Sequence, residues 1–258
     1  MSGGSKSIQI TVCIITLNEE EALPRCLESV RRFADEIVIV DSGSSDRTED
    51  IAREYGARFV FQEWLGYGKQ KNFAFELATS NWIFSIDADE EVSAELRESI
   101  MEFKRLGRRH PPAAFEVCRL AFYEGKWIYH GDWYPDWLPR LFQKYKAKTV
   151  GGRVHERIRV YGRRERLKGH LYHYSYKDAA DREERIRHYA DLWVQSAVKR
   201  YRRKILPLEP ELRAAWRFFR AYIIRHGFMD GKLGLEIALG SAWETRLKYQ
   251  QLRRLQCG

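Results

Sequence analysis

Four short apolar runs recur within the first 90 residues: "IQITVCIIT" (8–16), "EIVIVD" (36–41), "ARFVF" (57–61) and "WIFSIDAD" (82–89). Each is rich in β-branched or aromatic residues and lacks the strict apolar–polar alternation of a strand with one wet face, so each reads as a strand buried on both sides. Between them lie stretches with helical character: "NEEEALPRCLESVRRF", "SSDRTEDIAREYG" closed by Gly56, and "GKQKNFAFELATS". Strands alternating with helices predict an α/β fold with a doubly wound, mostly parallel sheet. The acids that open "NEEEALPRCLESVRRF" and the bases that end it suit a helix dipole and predict a helix across the whole segment.

The rhythm changes after residue 110. "AAFEVCRLAFYEGKWIYH" and "RERLKGHLYHYSY" read as longer antiparallel strands, and from about residue 178 the chain reads as helical to its end. This predicts an α/β domain over 1–175 and a basic, amphipathic helical extension over 176–258. Charge divides in the same sense. Residues 1–100 hold 10 Lys/Arg against 19 Asp/Glu, whereas 101–258 hold 35 against 17. An acidic front and a basic back point to two tasks, the second directed at an anionic partner. No apolar run approaches the roughly 20 residues of a spanning helix. The four cysteines are scattered without metal-ligand spacing, which fits reduced thiols and a cytoplasmic protein.

Ligands of open α/β sheets bind beyond the carboxyl ends of the strands. Three such ends are polar here: "TLNEE", "DSGSSD" and "DADEE". In the last, Asp87 and Asp89 flank one small residue, so both can address a single hard cation. An oxygen-rich pair suits Mg²⁺ or Mn²⁺, which share their coordination with substrate phosphates. Such an ion and its diphosphate would offset the repulsion among four carboxylates in five residues. The plainer reading makes the acids caps of the following helix, "SAELRESIMEF", and Glu90 and Glu91 are expected to do little more than that.

"TLNEEEALPRCLESV", "IVIVDSGSSDRT", "KNFA" and "IFSIDADEE", in that order and spacing, resemble the nucleotide-sugar domain of family 2 glycosyltransferases, inverting enzymes of GT-A fold. Downstream, "WYPDWLPRLF", "VHE", "HYSY" and "YIIRHGFMDGKLGL" resemble the branch that includes lipopolysaccharide-core glucosyltransferases. The resemblance implies that Thr16, Asn18 and Glu19 line the nucleotide pocket. Asp41 would accept a hydrogen bond from uracil, with Gly43 and Ser45 shaping its turn. Lys71 and Asn72 stand where the family often has Arg-Asn, near base and phosphates. Asp87 would reach the ribose or the metal, and Asp89 would ligate the metal, with His173 completing its shell. For Thr16 and Asn18 the alternative is helix capping; for His173 it is a packed core histidine.

An inverting transfer needs a carboxylate to take the acceptor hydroxyl's proton. Where many relatives carry Glu-Asp, this chain has His155-Glu156. Glu156 is the expected base, with His155 orienting it or touching the donor phosphates and Asp132 in reserve; a surface ion pair is the alternative for Glu156. The expected activity is metal-dependent transfer of a sugar, glucose by the resemblance, from a UDP-sugar to a lipid-linked or phosphorylated saccharide such as a lipopolysaccharide core. In the tail, Leu212, Trp216, Phe219 and Ile223 fall on one helical face and Arg213, Arg217 and Arg220 on the next. An apolar face beside arginines predicts contact with an anionic membrane surface, placing the enzyme on the cytoplasmic face of the inner membrane; the alternative is a core stripe packed on the next helix, with a solvated arginine face. A nucleotidyltransferase and a HAD-like phosphotransferase are the rival enzymes, although no nucleophilic Asp ends the first strand. A non-catalytic nucleic-acid binder leaves the strand-end acids unexplained, and no nucleic acid is expected as partner.

Overall fold

The computed structural model describes residues 7–107, 110–151, 156–174, 179–198, 201 and 203–257. The chain forms two compact units, one of Met1–Arg119 with Trp137–His173, the other of Leu120–Asp136 with Tyr174–Gly258. The second unit thus takes a segment, Leu120–Asp136, from within the span expected to belong wholly to the catalytic domain.

In the first unit the order is β1 (Ile10–Thr16), α1 (Leu23–Val30), β2 (Glu36–Asp41), α2 (Thr48–Glu54), β3 (Arg58–Phe61), α3 (Tyr67–Leu77), β4 (Trp82–Ser85), β5 (Glu90–Val92), α4 (Ala94–Leu106) and β6 (Ala114–Tyr123). After β7 (Lys126–Trp127), which belongs to the second unit, come β8 (Asp136–Gln143), β9 (Ala147–Val150), β10 (Arg157–Val160) and β11 (Arg164–His173). The sheet runs β3-β2-β1-β4-β8-β6-β11-β5, with β7 paired to β6 and a separate β10-β9 ribbon. β1 pairs in parallel with β2 and β4, and β2 with β3, as the apolar runs predict. β8 then runs antiparallel to β4, and β11 antiparallel to β5.

Alternate residues of β1 serve two cores, which is why its sequence is apolar throughout. Ile10, Val12 and Ile14 pack with Leu23 and Leu27 of α1, Ile51 of α2, and Leu96 and Ile100 of α4. Cys13 packs on the other face with Ala74 and Phe75 of α3, Ile83 and Phe142. Cys13, Cys26 and Cys118 are buried free thiols.

Two local expectations are corrected. α1 begins only at Leu23, with Pro24 in its first turn, so Glu19, Glu20 and Glu21 lie in the loop before it. Proline is tolerated there because its missing N–H would have had no helical partner. Glu90 and Glu91 do not cap the next helix either. They form β5, and Ser93 is the cap of α4, its hydroxyl accepting from Leu96 N at 3.2 Å.

The second unit contains α5 (Ala179–Val198), α6 (Glu209–Phe219), a π-helical turn (Arg220–Ile224) and α7 (Gly231–Cys257). One small core joins Tyr123 and Ile128 to Leu233 and Ile237. Another joins Ala197, Ile205 and Leu252, with Trp193, Tyr201 and Tyr249 around them.

Candidate active site

Parallel pairing aligns the strand ends. Thr16 at the end of β1 stands opposite Asp41 at the end of β2, and Cys13 opposite Ser85 at the end of β4. Beyond Ser85 the chain still follows β1, with Ile86 N donating to Cys13 O at 3.2 Å. The three polar strand ends therefore share one edge of the sheet, where this topology binds ligands.

The turn after β4 is built around Glu90. Its N–H donates to Asp87 O at 3.0 Å, and its carboxylate accepts from Asp87 N at 3.0 Å. The same carboxylate receives Arg140 Nη2, from β8, at 2.5 Å, and Arg140 Nη2 also lies 3.2 Å from Asp87 Oδ2. Glu90 is 0% exposed and Arg140 5%. Lys71, from α3, places Nζ 2.7 Å from Asp87 Oδ1. Asp89 Oδ2 stands 3.3 Å from His173 Nε2, and Glu91 3.7 Å from Arg25.

The crowding of acids is thus resolved inside the chain, because each of the four carboxylates in "DADEE" faces a basic side chain. These pairings offset part of the repulsion that a bound divalent ion would also offset, and Glu90 lies in β5 rather than serving as a cap, which corrects that expectation. Sequence reasoning missed Glu90 because its partner lies 50 residues away. The one local sign was an acid directly followed by a strand-like "EEV". Burial works against the charge of Asp87, but Lys71 and Arg140 outweigh it and hold that carboxyl well below its ordinary range. Burial dominates at Glu90 and raises its pKa despite Arg140.

His173 arrives from the far end of the unit by strand pairing. β11 pairs with β5 in the register Leu171 to Val92, Tyr172 to Glu91 and His173 to Glu90. Gly169 makes the approach possible, since at φ 90° a Cβ there would lie 2.2 Å from Leu96 N. Ser93 fastens the same junction, its hydroxyl also accepting from His170 N at 3.0 Å.

Thr16, Asn18, Glu19, Asp41, Gly43 and Ser45 meet in a second cluster, where the loops after β1 and β2 knit together. Asp41 is buried and accepts four hydrogen bonds: Gly43 N at 2.8 Å, Ser44 N at 2.7 Å, Ser44 Oγ at 2.5 Å and Thr16 Oγ1 at 2.8 Å. A carboxylate has about four acceptor positions, so Asp41 is fully engaged as the anchor of its own turn. Asn18 adopts φ 55°, a conformation asparagine tolerates better than most residues, and its Oδ1 accepts from Ser45 N at 2.8 Å. Glu19 N donates to Thr48 Oγ1 at 2.9 Å.

Glu156 is half-buried just before β10 and faces α3: a Cβ on Gly68 would lie 3.8 Å from Glu156 Cβ. Lys71 follows Gly68 by three residues, so both lie on one face of α3. Asn72 clamps the ribbon that carries Glu156 by donating to Thr149 O at 2.9 Å and accepting from Thr149 N at 2.8 Å. His155 lies outside the described residues.

Asp132 belongs to the second unit and is 2% exposed, with Arg217 at 2.7 Å, Arg225 at 3.3 Å and Arg220 at 3.7 Å. Its carboxylate is enclosed by guanidinium groups of its own unit. In the tail, Arg217 and Arg220 turn toward Asp132, and Arg213 turns toward Glu209 and Tyr249. These arginines are partly exposed and make their contacts within their own unit.

Among the described residues no group of three or more His, Cys, Asp or Glu could hold a metal ion. Asp89 with His173 still forms a two-donor set. Two neighbouring ligands of an octahedral Mg²⁺ stand about 3 Å apart, close to the 3.3 Å seen here. The remaining positions of such an ion normally go to water and substrate phosphate.

The family model described as "Glycosyl transferase family 2" matches residues 11–118, which include the strand ends at Thr16, Asp41 and Asp87–Glu91 but not Arg140 or His173. An uncharacterized glycosyltransferase of Rickettsia prowazekii is 28% identical, covering 96% of this chain and 87% of that protein. This chain contains a glycosyltransferase family 2 domain over residues 11–118. It is also similar to the lipopolysaccharide core biosynthesis glycosyltransferase LpsC of Rhizobium meliloti, 45% identical over 37% of each chain. Among solved structures, S. aureus TarS 1-349 in complex with UDP-GlcNAc aligns at a TM-score of 0.50 and 13% identity, covering 97% of this chain and 92% of that one, a likeness of fold. The chain thus has a GT-A-like arrangement, a mostly parallel sheet with C-terminal helices.

Proposed function

We propose that this family 2 enzyme transfers a sugar from a UDP-sugar to a saccharide hydroxyl with inversion at the anomeric carbon. The observation that carries the reading is the Asp87–Asp89 turn, braced by Glu90 and Arg140 at the sheet edge with His173 beside Asp89. Family membership and a fold shared with a UDP-GlcNAc-bound structure support the donor class.

Asp89 and His173 are the residues to hold Mg²⁺ or Mn²⁺, which when bound supplies positive charge to the departing diphosphate. Asp87 is committed to Lys71 and Arg140, so its role is to fix Lys71 at the edge of the site, where the ammonium also faces donor phosphates. Thr16, Asn18, Glu19, Gly43 and Ser45 form the floor of the nucleoside pocket. Asp41 holds its turn, and meets uracil only by giving up one of its four internal hydrogen bonds.

Glu156 accepts the proton of the acceptor hydroxyl as that oxygen forms its bond to the anomeric carbon. The bond from the anomeric carbon to the diphosphate oxygen breaks at the same time, and UDP leaves with the electron pair. His155, which immediately precedes it in sequence, is proposed to orient this carboxylate or to touch the donor phosphates. The acceptor is a lipid-linked or phosphorylated saccharide. That assignment follows from the basic second half and the likeness to LpsC, and glucose is the first donor sugar to try. The enzyme works as a peripheral protein on the cytoplasmic face of the inner membrane; among the described residues no helix is long and apolar enough to cross a membrane.

The test is the substitution Glu156→Gln, assayed with UDP-glucose and other UDP-sugars for transfer or slow hydrolysis. UDP affinity should persist while turnover falls by about a hundredfold or more. Undiminished turnover would remove Glu156 from the mechanism.

A further inference from the structure

α6 and the π-helical turn expose an unusual amount of apolar surface. Leu212, Trp216, Phe219 and Ile223 follow one another at i, i+4, i+7 and i+11, and all are exposed, Leu212 to 68% and Trp216 to 59%. Leu206 and Leu208, immediately before α6, extend this surface and are exposed to 65% and 70%. A row of large side chains at helical spacing normally faces a core. Here Arg217, Arg220 and Arg225 face inward instead, drawn to the buried carboxylate of Asp132. That anchor fixes the rotation of α6 and leaves its apolar row outermost. Contiguous apolar surface of this kind marks a docking face.

Charge identifies what covers it. Residues 199–225 contain nine Lys/Arg and two Asp/Glu. Both acids are engaged within the unit, Glu209 by Arg203 and Arg213, and Glu211 by Arg246 and Gln250. A second copy would bring the same positive field against this one, whereas an anionic bilayer complements it. We propose that Leu206, Leu208, Leu212, Trp216, Phe219 and Ile223 form the face by which the enzyme lies on an anionic lipid surface. α6 runs in the plane of the interface, with its apolar row among the acyl chains and the exposed Arg203 and Lys204 before it at headgroup level. The proposal rests on the membrane reading above.

Co-sedimentation with phosphatidylcholine vesicles, with and without about one-third phosphatidylglycerol, tests this on the full chain. The wild type should bind the anionic vesicles, and Leu212→Ser with Trp216→Ser should lower partitioning by about tenfold or more at an unchanged melting temperature. Trp216→Ser alone, the milder variant, should lower it in part. A wild type that stays in solution, or a double variant that binds as well, would overturn the proposal. So would sedimentation velocity in which the wild type is a dimer and the double variant a monomer, because a second copy would then cover the face. Vesicle binding needs no turnover, so an enzyme that binds lipid but transfers no sugar leaves this face standing and contradicts the catalytic reading alone.

Discussion

Arg140 donates to Glu90 across a distance of 2.5 Å, and the two side chains are 5% and 0% exposed. A charged pair so fully removed from water gives little net stability, yet is costly to break from one side. Here the pair also shapes the site, because Glu90 accepts from Asp87 N and Arg140 reaches Asp87 Oδ2. Arg140→Leu leaves a buried carboxylate without its main partner. It should destabilise the first unit by about 3–5 kcal/mol, measured by urea unfolding. Glu90→Gln keeps a hydrogen bond to the same guanidinium and should cost clearly less.

Lys71 Nζ lies 2.7 Å from Asp87 Oδ1. Lys71→Met removes the main charge holding that carboxyl down, so the Asp87 pKa should rise toward its ordinary value. Calorimetric titration of UDP should then show about a tenfold loss of affinity, while Lys71→Arg should retain most of it. Equal affinities in all three proteins would separate Lys71 from the donor.

The alternation of strands with helices and the polar strand ends were legible in short-range signals, whereas His173 beside Asp89 was expected only through the family resemblance. Other contacts were illegible because their partners are remote in sequence and chemically ordinary. "DADEE" gives no hint that Glu90 is buried, since the guanidinium that permits its burial lies on β8. The "ELRAAWRFFRAYIIR" segment offers two faces of similar length, and periodicity cannot say which turns outward. Asp132, a single acid in an aromatic-rich stretch, decides it by drawing the arginines in.

Asp132→Asn should therefore loosen the second unit. Its carboxylate is buried, but the three arginines are each more than a third exposed, so solvent softens the loss to about 1–3 kcal/mol. Thermal unfolding should detect it, and an unchanged midpoint would mean that α6 is oriented by its apolar contacts instead.

Glu209 supplies a pH signature. Hydrogen bonds from Arg203, and then from Arg213, lower its pKa to about 2 from an ordinary 4.5. The folded value lies below the unfolded one, so the stabilisation is fully present above pH 4.5 and is lost as pH falls toward 2. Solvent around the half-exposed Arg203 limits it to about 1–2 kcal/mol. Glu209→Gln should be less stable than the wild type at neutral pH, and the two should converge on acidification.

Calorimetric titration of UDP into the wild type, with Mn²⁺ and with chelator, repeated on Asp89→Ala and His173→Ala, tests the central claim most directly. The structure predicts binding strengthened by Mn²⁺ in the wild type and a loss of that enhancement in both variants. UDP binding indifferent to the metal and to both substitutions, or no UDP binding at all, would contradict it.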